Sequence, residues 1–283
     1  MKASDEIGDD FQKAAGEHLV DPETELNDYS NAERLAEAVC RTAEVRYVIA
    51  RGWYRWNGLR NMPADDWITN KAAMEVRDLF RIAALIPDEK PRLAVLRHAN
   101  SSLRSERLSA MVKLAAGIGG VKLEARNCDA LPYLLGVQNG IIDLRPGNFS
   151  FDWERDQGGK PFAPDFITMQ VACAFSEGAA YPRWQRFLEE VFGGDYELIE
   201  YVQRVVGYAL SGYTSEHVLF FLHGFGANGK SVFVNILKEL FGDYSAVISA
   251  ETLLSRRNGQ PTNDLARLPA KRLAITSELD EGE

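Results

Sequence analysis

The stretch Gly224-Phe-Gly-Ala-Asn-Gly229-Lys230-Ser231 decides how this sequence is interpreted, because it fits the pattern G-x-x-x-x-G-K-[ST] of a phosphate-binding loop. Glycines let the backbone curl so that successive N–H groups point inward, toward phosphate oxygens. A helix after the loop adds the positive end of its dipole. In this pattern Lys230 reaches the β- and γ-phosphates, and the Ser231 hydroxyl binds Mg²⁺. The loop therefore predicts a site for ATP or a similar triphosphate.

The residues on either side of the loop predict a strand–loop–helix unit. Before the loop, residues 218–222 form a short, wholly apolar run that is typical of a buried strand in a parallel sheet. After the loop, residues 231–240 show helical periodicity. The predicted nucleotide-binding residues are all eight members of the loop: Gly224, Phe225, Gly226, Ala227, Asn228, Gly229, Lys230 and Ser231.

A phosphate loop of this kind also needs an acidic residue on a neighbouring strand, which holds Mg²⁺ and polarises the attacking water. The candidate is Glu278, which ends a short apolar run 48 residues after Lys230. Asp280 and Glu281 are nearby alternates. We therefore predict Lys230 and Glu278 as the catalytic residues, and Ser231 and Glu278 as the Mg²⁺ ligands.

The sequence upstream of the loop predicts a mainly helical domain with β-hairpins, so the fold class is mixed α/β. In residues 46–56 polar and apolar side chains alternate on both sides of Arg51-Gly52, which predicts a β-hairpin. Residues 136–144 have the composition of a strand. Residues 150–165 are polar and rich in glycine and proline, which predicts a loop. Helical periodicity covers residues 31–39, 65–86, 101–116, 182–191 and 196–210.

The net charge is distributed unevenly along the chain. Its net charge is −9, but residues 1–30 contain nine acids and two lysines, a local −7. We expect an acidic flexible tail over residues 1–28, an N-terminal domain over 29–212, and the first part of a phosphate-loop ATPase domain with a parallel sheet over 213–283.

The composition also excludes several classes of protein. The sequence has no apolar run of about 18 residues, which argues against a membrane span. Its three cysteines form no C-x-x-C pair, which argues against a zinc ribbon or a disulfide framework. The cysteine usage fits a reducing cytoplasm.

A local positive charge suggests a surface for nucleic acid. Residues 77–126 contain ten basic and five acidic side chains, a local +5. On one continuous helix Arg97, Arg104 and Arg107 would lie within about a quarter-turn of one another. Such a ridge could contact phosphates, or it could be an ordinary solvated face.

Aromatic residues of the predicted hairpin allow two interpretations. Trp53, Tyr54 and Trp56 could stack on bases. Alternation along a hairpin more often means that Trp53 packs on the core. Three histidines, His98, His217 and His223, are not spaced from any cysteine or acidic residue in a way that is typical of a metal site. Ser215 has no paired histidine and aspartate, so no hydrolase triad is predicted.

The loop and the chain upstream of it together resemble superfamily 3 helicases of the phage and plasmid primase–helicase type. The run Phe-Phe-Leu-His at residues 220–223, together with Gly-Ala-Asn-Gly-Lys-Ser at residues 226–231, is similar to the phosphate loop of that family. The similarity covers residues 31–283. Upstream segments that resemble its poxvirus-type N-terminal helicase domain are residues 31–34, 46–48, 53–58, 137–145, 182–184, 187–194 and 207–212.

This resemblance implies an ATP-dependent DNA helicase of phage or plasmid replication, acting in the cytoplasm of a bacterial host or virus-infected cell. Its AAA+-like domains would form a homo-hexameric ring around single-stranded DNA, with a primase as a further partner. ATP would bind between subunits, where an arginine from the neighbour completes the site. Ser277 departs from the family pattern, since it stands where an aspartate is expected before Glu278.

The resemblance also implies motifs beyond Glu283: a sensor residue, a DNA-contacting pore loop and the arginine finger. We therefore expect the chain to be incomplete at its C-terminus and weakly active alone. Two other classes stay open. A small phosphate-loop kinase would transfer phosphate to a bound acceptor, whereas a non-unwinding relic or assembly module would bind ATP, DNA or partners without turnover.

Overall fold

A computed structural model describes residues 26–42, 44–145, 150–151, 166–252 and 263–276. The chain divides into two compact units. Unit 1 comprises Met1–Arg55 and Pro63–Ala125, and unit 2 comprises Trp56–Met62 and Arg126–Glu283. The boundary predicted near residue 212 separates the N-terminal domain from the ATPase domain and is not a boundary between these compact units. It stays a prediction. The mixed α/β class is confirmed, with about half of the described chain helical.

The first part of the chain combines helices with a small sheet. Its helices are α1 (Asp28–Thr42), α2 (Asp65–Leu85), α3 (Glu89–Ser102) and α4 (Ser105–Ala115). Its strands are β1 (Val45–Val48), β2 (Gly52–Trp56), β3 (Asn61–Pro63) and β4 (Lys122–Leu123). The sheet has the order β3-β2-β1-β4, in which β1 pairs antiparallel with β2 and parallel with β4. The predicted hairpin is therefore confirmed.

Helical packing forms the core of unit 1. Helix α1 packs on α4, and α2 packs on both α3 and α4. Buried positions of α2 recur at spacings of three and four, because that period keeps one face of a helix against its neighbours. These positions are Ile68, Ala72, Val76, Leu79 and Ala83. The helix ends before Pro87, since Ile86 adopts the extended backbone that a following proline favours.

Unit 2 contains helices and two further small sheets. Its helices are α5 (Pro182–Val191), α6 (Tyr196–Ser211), α7 (Lys230–Phe241) and α8 (Asn263–Ala266). Its strands are β5 (Leu134–Val137), β6 (Gly140–Asp143), β7 (Ser150–Phe151), β8 (Ser245–Val247) and β9 (Leu273–Ile275). Strands β5, β6 and β7 pair antiparallel in that order, and β8 pairs parallel with β9. Of the predicted loop over 150–165, residues 150–151 form β7 and residues 152–165 lie outside the described part.

The core of unit 2 joins α7 to the β5–β6 hairpin. Phe233, Leu237 and Phe241 on α7 are buried together with Leu135 and Tyr244. Helices α5 and α6 cover this cluster with half-buried apolar side chains. Helix α6 ends at Gly212, whose φ of 69° is the left-handed conformation that glycine tolerates at a helix C-terminus.

The prediction of a single helix over residues 101–116 is wrong. The structure has α3 and α4 instead, separated at Leu103 and Arg104, where Arg104 takes an extended backbone with φ −66° and ψ 140°. Leu103 still packs against the core from the break. The apolar spacing therefore continues across the interruption, and periodicity alone cannot detect one extended residue.

The strand predicted over residues 136–144 is a hairpin. Strands β5 and β6 pair antiparallel around Gln138 and Asn139, with Val137 opposite Gly140. The two turn residues are Gln138 and Asn139, and Gly140, with a φ of 156°, is the first residue of β6. The Asn-Gly pair therefore lies one residue later than the usual two-residue hairpin signal would place it.

The buried strand predicted over residues 218–222 is also wrong. These five residues have no regular secondary structure, and all of them are exposed, with Phe221 83% exposed. A parallel strand is stable when neighbouring strands satisfy its N–H and C=O groups. The parallel pair described in this unit is β8–β9, and neither strand pairs with residues 218–222. The strand predicted from the apolar run before Glu278 is confirmed, since residues Leu273–Ile275 form β9.

Candidate functional site

The loop of residues 224–231 curls through three left-handed backbone positions. The φ angles are 152° at Gly224, 57° at Ala227 and 86° at Gly229. Glycine adopts such angles without strain, whereas alanine does so rarely. Gly229 is the N-cap of α7, and Lys230 is the first residue of that helix. The helix predicted over residues 231–240 is thus confirmed, directly after the glycine loop.

The loop runs through a hydrogen-bonded turn at Gly226 and Ala227 into the N-terminus of α7. The first backbone hydrogen bond of that helix is donated by Phe233 N–H to Gly229 O at 2.9 Å. The first N–H groups of a helix have no intrahelical partner. Donors at a helix N-terminus suit an anion, since the helix dipole adds positive potential there. The donor set therefore fits a phosphate group.

Lys230 folds back over the loop that precedes it. Its ammonium donates to Gly224 O at 2.7 Å, to Phe225 O at 3.0 Å and to Asn228 Oδ1 at 2.9 Å. The ammonium is therefore held against oxygen atoms of the loop itself. Ser231 is exposed on the first turn of α7. The structure thus brings together all eight loop residues predicted from the sequence.

Helix α5 supports the end of the loop. A Cβ atom built on Gly229 would lie 2.6 Å from Val191 Cγ2 and 3.7 Å from Phe187 Cε2. Val191 ends α5, and Phe187 lies one turn earlier on the same face. Glycine is thus required at position 229 for space as well as for its φ angle. Sequence reasoning missed this contact, because no motif connects residues so far apart in the chain.

Aromatic rings join α5 to the first turn of α7. Trp184 stacks on Phe233 with ring centres 5.8 Å apart and planes 12° apart, and it stacks on Phe187 at 5.4 Å. Phe192, just after α5, meets Phe233 edge-on at 6.2 Å. Such pairs stabilise a core beyond their buried area. The beginning of α7 is therefore packed against a rigid aromatic surface.

Strand β9 leads toward the predicted acid and is anchored at its start by Arg272. The guanidinium donates to the carbonyl oxygens of Leu210 and Leu134, and burial lowers the pKa of Arg272. Glu278 itself lies outside the described residues, as do its alternates Asp280 and Glu281. Its role therefore stays a prediction.

The proposed ridge of arginines is not one helix face. Arg97 lies on α3, Arg104 lies at the break, and Arg107 lies on α4. Arg107 also donates to Ser101 Oγ at 3.0 Å and lies 3.8 Å from an Asp28 carboxylate oxygen. The single-helix geometry behind the ridge is wrong, because the extended residue at position 104 redirects the chain.

The hairpin aromatics have different surroundings. Trp53 is 3% exposed and meets Tyr47 edge-on at 5.4 Å, so its place in the core is confirmed. A ring buried to this extent does not stack on a base in this structure. Tyr54 and Trp56 are half-buried.

A buried polar network in unit 1 was not predicted. Asn31 donates to Ser102 Oγ at 3.0 Å and contacts His98 Nε2 at 3.2 Å through its Oδ1 atom. Arg34 donates to the same Oδ1 at 2.6 Å. Burial lowers the pKa of His98, and the nearby charges of Arg34 and Arg107 lower it further. The network is a structural feature of the helical core.

The described residues contain neither a membrane-spanning helix nor a cluster of metal-ligating side chains. Helices there are too short or too polar to cross a membrane. No group of three or more histidine, cysteine, aspartate or glutamate side chains in that part of the chain could hold a metal ion.

Comparison with known proteins gives the family. The family described as "D5 N terminal like" matches residues 32–193, more than half of the chain. The chain therefore belongs to the D5 N-terminal-like family. The matched range lies within the N-terminal domain predicted over residues 29–212 and ends before the loop at 224–231.

One relative extends this result. The chain is 31% identical over 137 residues to the protein named "Putative helicase L207/L206" of Acanthamoeba polyphaga mimivirus. The alignment covers 47% of this chain and 13% of that protein, so the chain spans a small part of this relative's length. The two matches support a D5-type helicase family, which bears out the coarser part of the predicted resemblance, while the narrower assignment to superfamily 3 stays a prediction.

Proposed function

We propose that this chain is part of an ATP-dependent DNA helicase of phage or plasmid replication, and that residues 224–231 bind ATP. The observation that carries this proposal is the left-handed glycine loop that runs directly into the N-terminus of α7, with Lys230 as the first residue of that helix. Family membership and the printed name of the mimivirus relative support the helicase class.

Each loop residue has a distinct part in the proposed site. The N–H groups of the loop would bind phosphate oxygens, and Lys230 would leave its loop acceptors to neutralise the charge that develops on the γ-phosphate. Ser231 and Glu278 would hold Mg²⁺. When bound, the metal supplies positive charge beside the phosphates. Glu278 would also orient the attacking water.

The partners follow from the same proposal. We expect single-stranded DNA as the polymer bound, a homo-hexameric ring as the active assembly, and a primase as a further partner. The cytoplasm of a bacterial host or virus-infected cell is the proposed location.

The first test is ATP binding in the presence of Mg²⁺, measured by calorimetry on the full chain. Lys230→Ala should weaken binding by about tenfold or more, because a charged hydrogen-bond donor to phosphate is lost. Lys238→Ala is the matched control, since Lys238 is an exposed lysine on the same helix but far from the loop. Equal affinity of the intact chain and Lys230→Ala would contradict the proposed site.

The second test separates the helicase from its rivals. Phosphate release that single-stranded DNA stimulates supports the helicase. Transfer of phosphate only when an acceptor is added would instead indicate a kinase. The exposed run at residues 218–222 specifically favours the second candidate, an assembly module without turnover. In the described part of the chain these residues do not form the strand that should support the loop. That module predicts DNA binding that is unchanged in Lys230→Ala.

A further inference from the structure

We infer that Val191, at the end of α5, is a positioning residue for the phosphate loop, because its side chain holds Gly229 in the conformation that presents the loop donors. This inference rests on the proposed function. It extends the site beyond residues 224–231 to a helix that the family match covers up to residue 193.

The first argument is steric. The Cβ position of Gly229 is 2.6 Å from Val191 Cγ2 and 3.5 Å from Val191 Cγ1. Carbon atoms do not approach that closely, so any side chain at position 229 requires movement. A valine on a helix has one strongly preferred rotamer, and Val191 therefore does not simply turn away. The backbone of Gly229 lies directly against this rigid branched side chain.

The second argument is that Val191 belongs to a surface that also fixes α7. Phe187 lies one turn before Val191, and Trp184 stacks on both Phe187 and Phe233. Phe233 in turn donates its N–H to Gly229 O at 2.9 Å. Helix α5 therefore contacts the end of the loop through Val191 and the beginning of α7 through the ring of Trp184. Both contacts fall on the short stretch between Gly229 and Phe233.

The other loop glycines do not share this contact. The Cβ position of Gly224 meets Asn228 Nδ2 at 2.4 Å, which is a contact within the loop itself. Gly226 has nothing within 4 Å. Among the three loop glycines, Gly229 is therefore the one that connects the loop to another helix.

A double-mutant cycle on the full chain tests this inference, with ATP–Mg²⁺ affinity measured by calorimetry. Gly229→Ala should weaken binding at least about tenfold, because its Cβ meets Val191 and its φ is left-handed. Val191→Ala should weaken binding about threefold or more, because the support is lost. The combination should bind about threefold more tightly than Gly229→Ala, since removing the valine methyl groups relieves the clash.

Val202→Ala is the matched control. Val202 lies on α6, packs against the core of unit 2 and loses the same two methyl groups, but it is not among the side chains nearest to the Cβ position of Gly229. It should lower the unfolding midpoint about as much as Val191→Ala while changing affinity less than about twofold. Equal weakening by both valine variants would overturn the inference, because Val191 would then act through stability alone.

The outcomes also separate the inference from the proposed function. A double variant that binds no more tightly than Gly229→Ala, in a chain whose unmodified form binds ATP, overturns the inference alone. Absence of ATP binding by the unmodified chain overturns both. Recovery of affinity in the double variant supports both together.

Discussion

The guanidinium of Arg272 lies 4.4 Å from the centre of the Tyr244 ring and, at the same time, donates hydrogen bonds to the carbonyl oxygens of Leu210 and Leu134. One side chain at the start of β9 therefore connects α6, the β5 strand and the turn before β8. An arginine can do this because its planar fork donates in two directions while its face stacks on an aromatic ring.

Arg272→Ala should lower the free energy of unfolding by about 2–4 kcal/mol, because two part-buried carbonyl groups lose a charged donor. Arg272→Lys should recover part of this loss, since lysine keeps the charge but not the fork. Chemical denaturation measures both. Arg267→Ala, which changes an exposed arginine nearby, is the control. A loss in Arg272→Ala no larger than in this control would contradict the structural role.

Tyr244 should make stability decline at alkaline pH. Burial raises the pKa of Tyr244 to about 12, because the phenolate form is poorly solvated there. The unfolded chain releases this proton near pH 10. The stability contributed by Tyr244 is therefore complete below about pH 10 and is lost as the pH rises toward 12. Tyr244→Phe should flatten the decline between about pH 9 and 11, measured by denaturation. An unchanged decline would rule out this residue as its source.

His98 should make unit 1 less stable in mild acid. Its pKa is lowered first by burial and then by Arg34 and Arg107, while Asp28 opposes the shift. The unfolded chain therefore binds the proton at a higher pH than the folded chain, so stability falls as the pH drops below about 6.5. The difference in unfolding midpoint between about pH 7.5 and 5.5 should shrink in His98→Gln. An equal difference in both proteins would show that other groups dominate.

Trp53→Ala should cost about 3–5 kcal/mol of unfolding free energy, because a buried indole is replaced by a cavity. Trp56→Ala, at the half-buried end of the same strand, should cost less. Thermal unfolding of both variants checks this order. If Trp53→Ala kept full stability and lost DNA binding instead, the base-stacking interpretation would return.

Lys230→Met should change the free energy of unfolding by no more than about 0.5 kcal/mol, because the Lys230 ammonium contacts only exposed atoms of its own loop. Phe233→Ala, three residues along α7, is the contrasting variant. Phe233 is 5% exposed, and its loss should cost about 3–5 kcal/mol. Chemical denaturation compares the two. A large loss in Lys230→Met would mean that reduced ATP binding reports unfolding and not the site.

Much of the fold was predictable because it is local. Amphipathic periodicity located α1, α2, α5 and α6, and alternation located the β1–β2 hairpin. The failures have physical causes. Leu103 continues the apolar period across an extended residue, which hides the α3–α4 break. The apolar residues 218–222 have strand composition, yet whether a strand forms depends on a partner that composition does not reveal.

The sequence by itself determined the phosphate-loop pattern, because glycine, lysine and serine at fixed spacing impose a local backbone path and a local set of donors. The start of α7 directly after Gly229 follows from neighbours in the chain. Only the tertiary structure decided that Val191 lies against Gly229, and that Arg272 stacks on Tyr244. Those contacts join residues 38 and 28 positions apart. Their geometry depends on how whole helices and strands pack, which no local preference specifies.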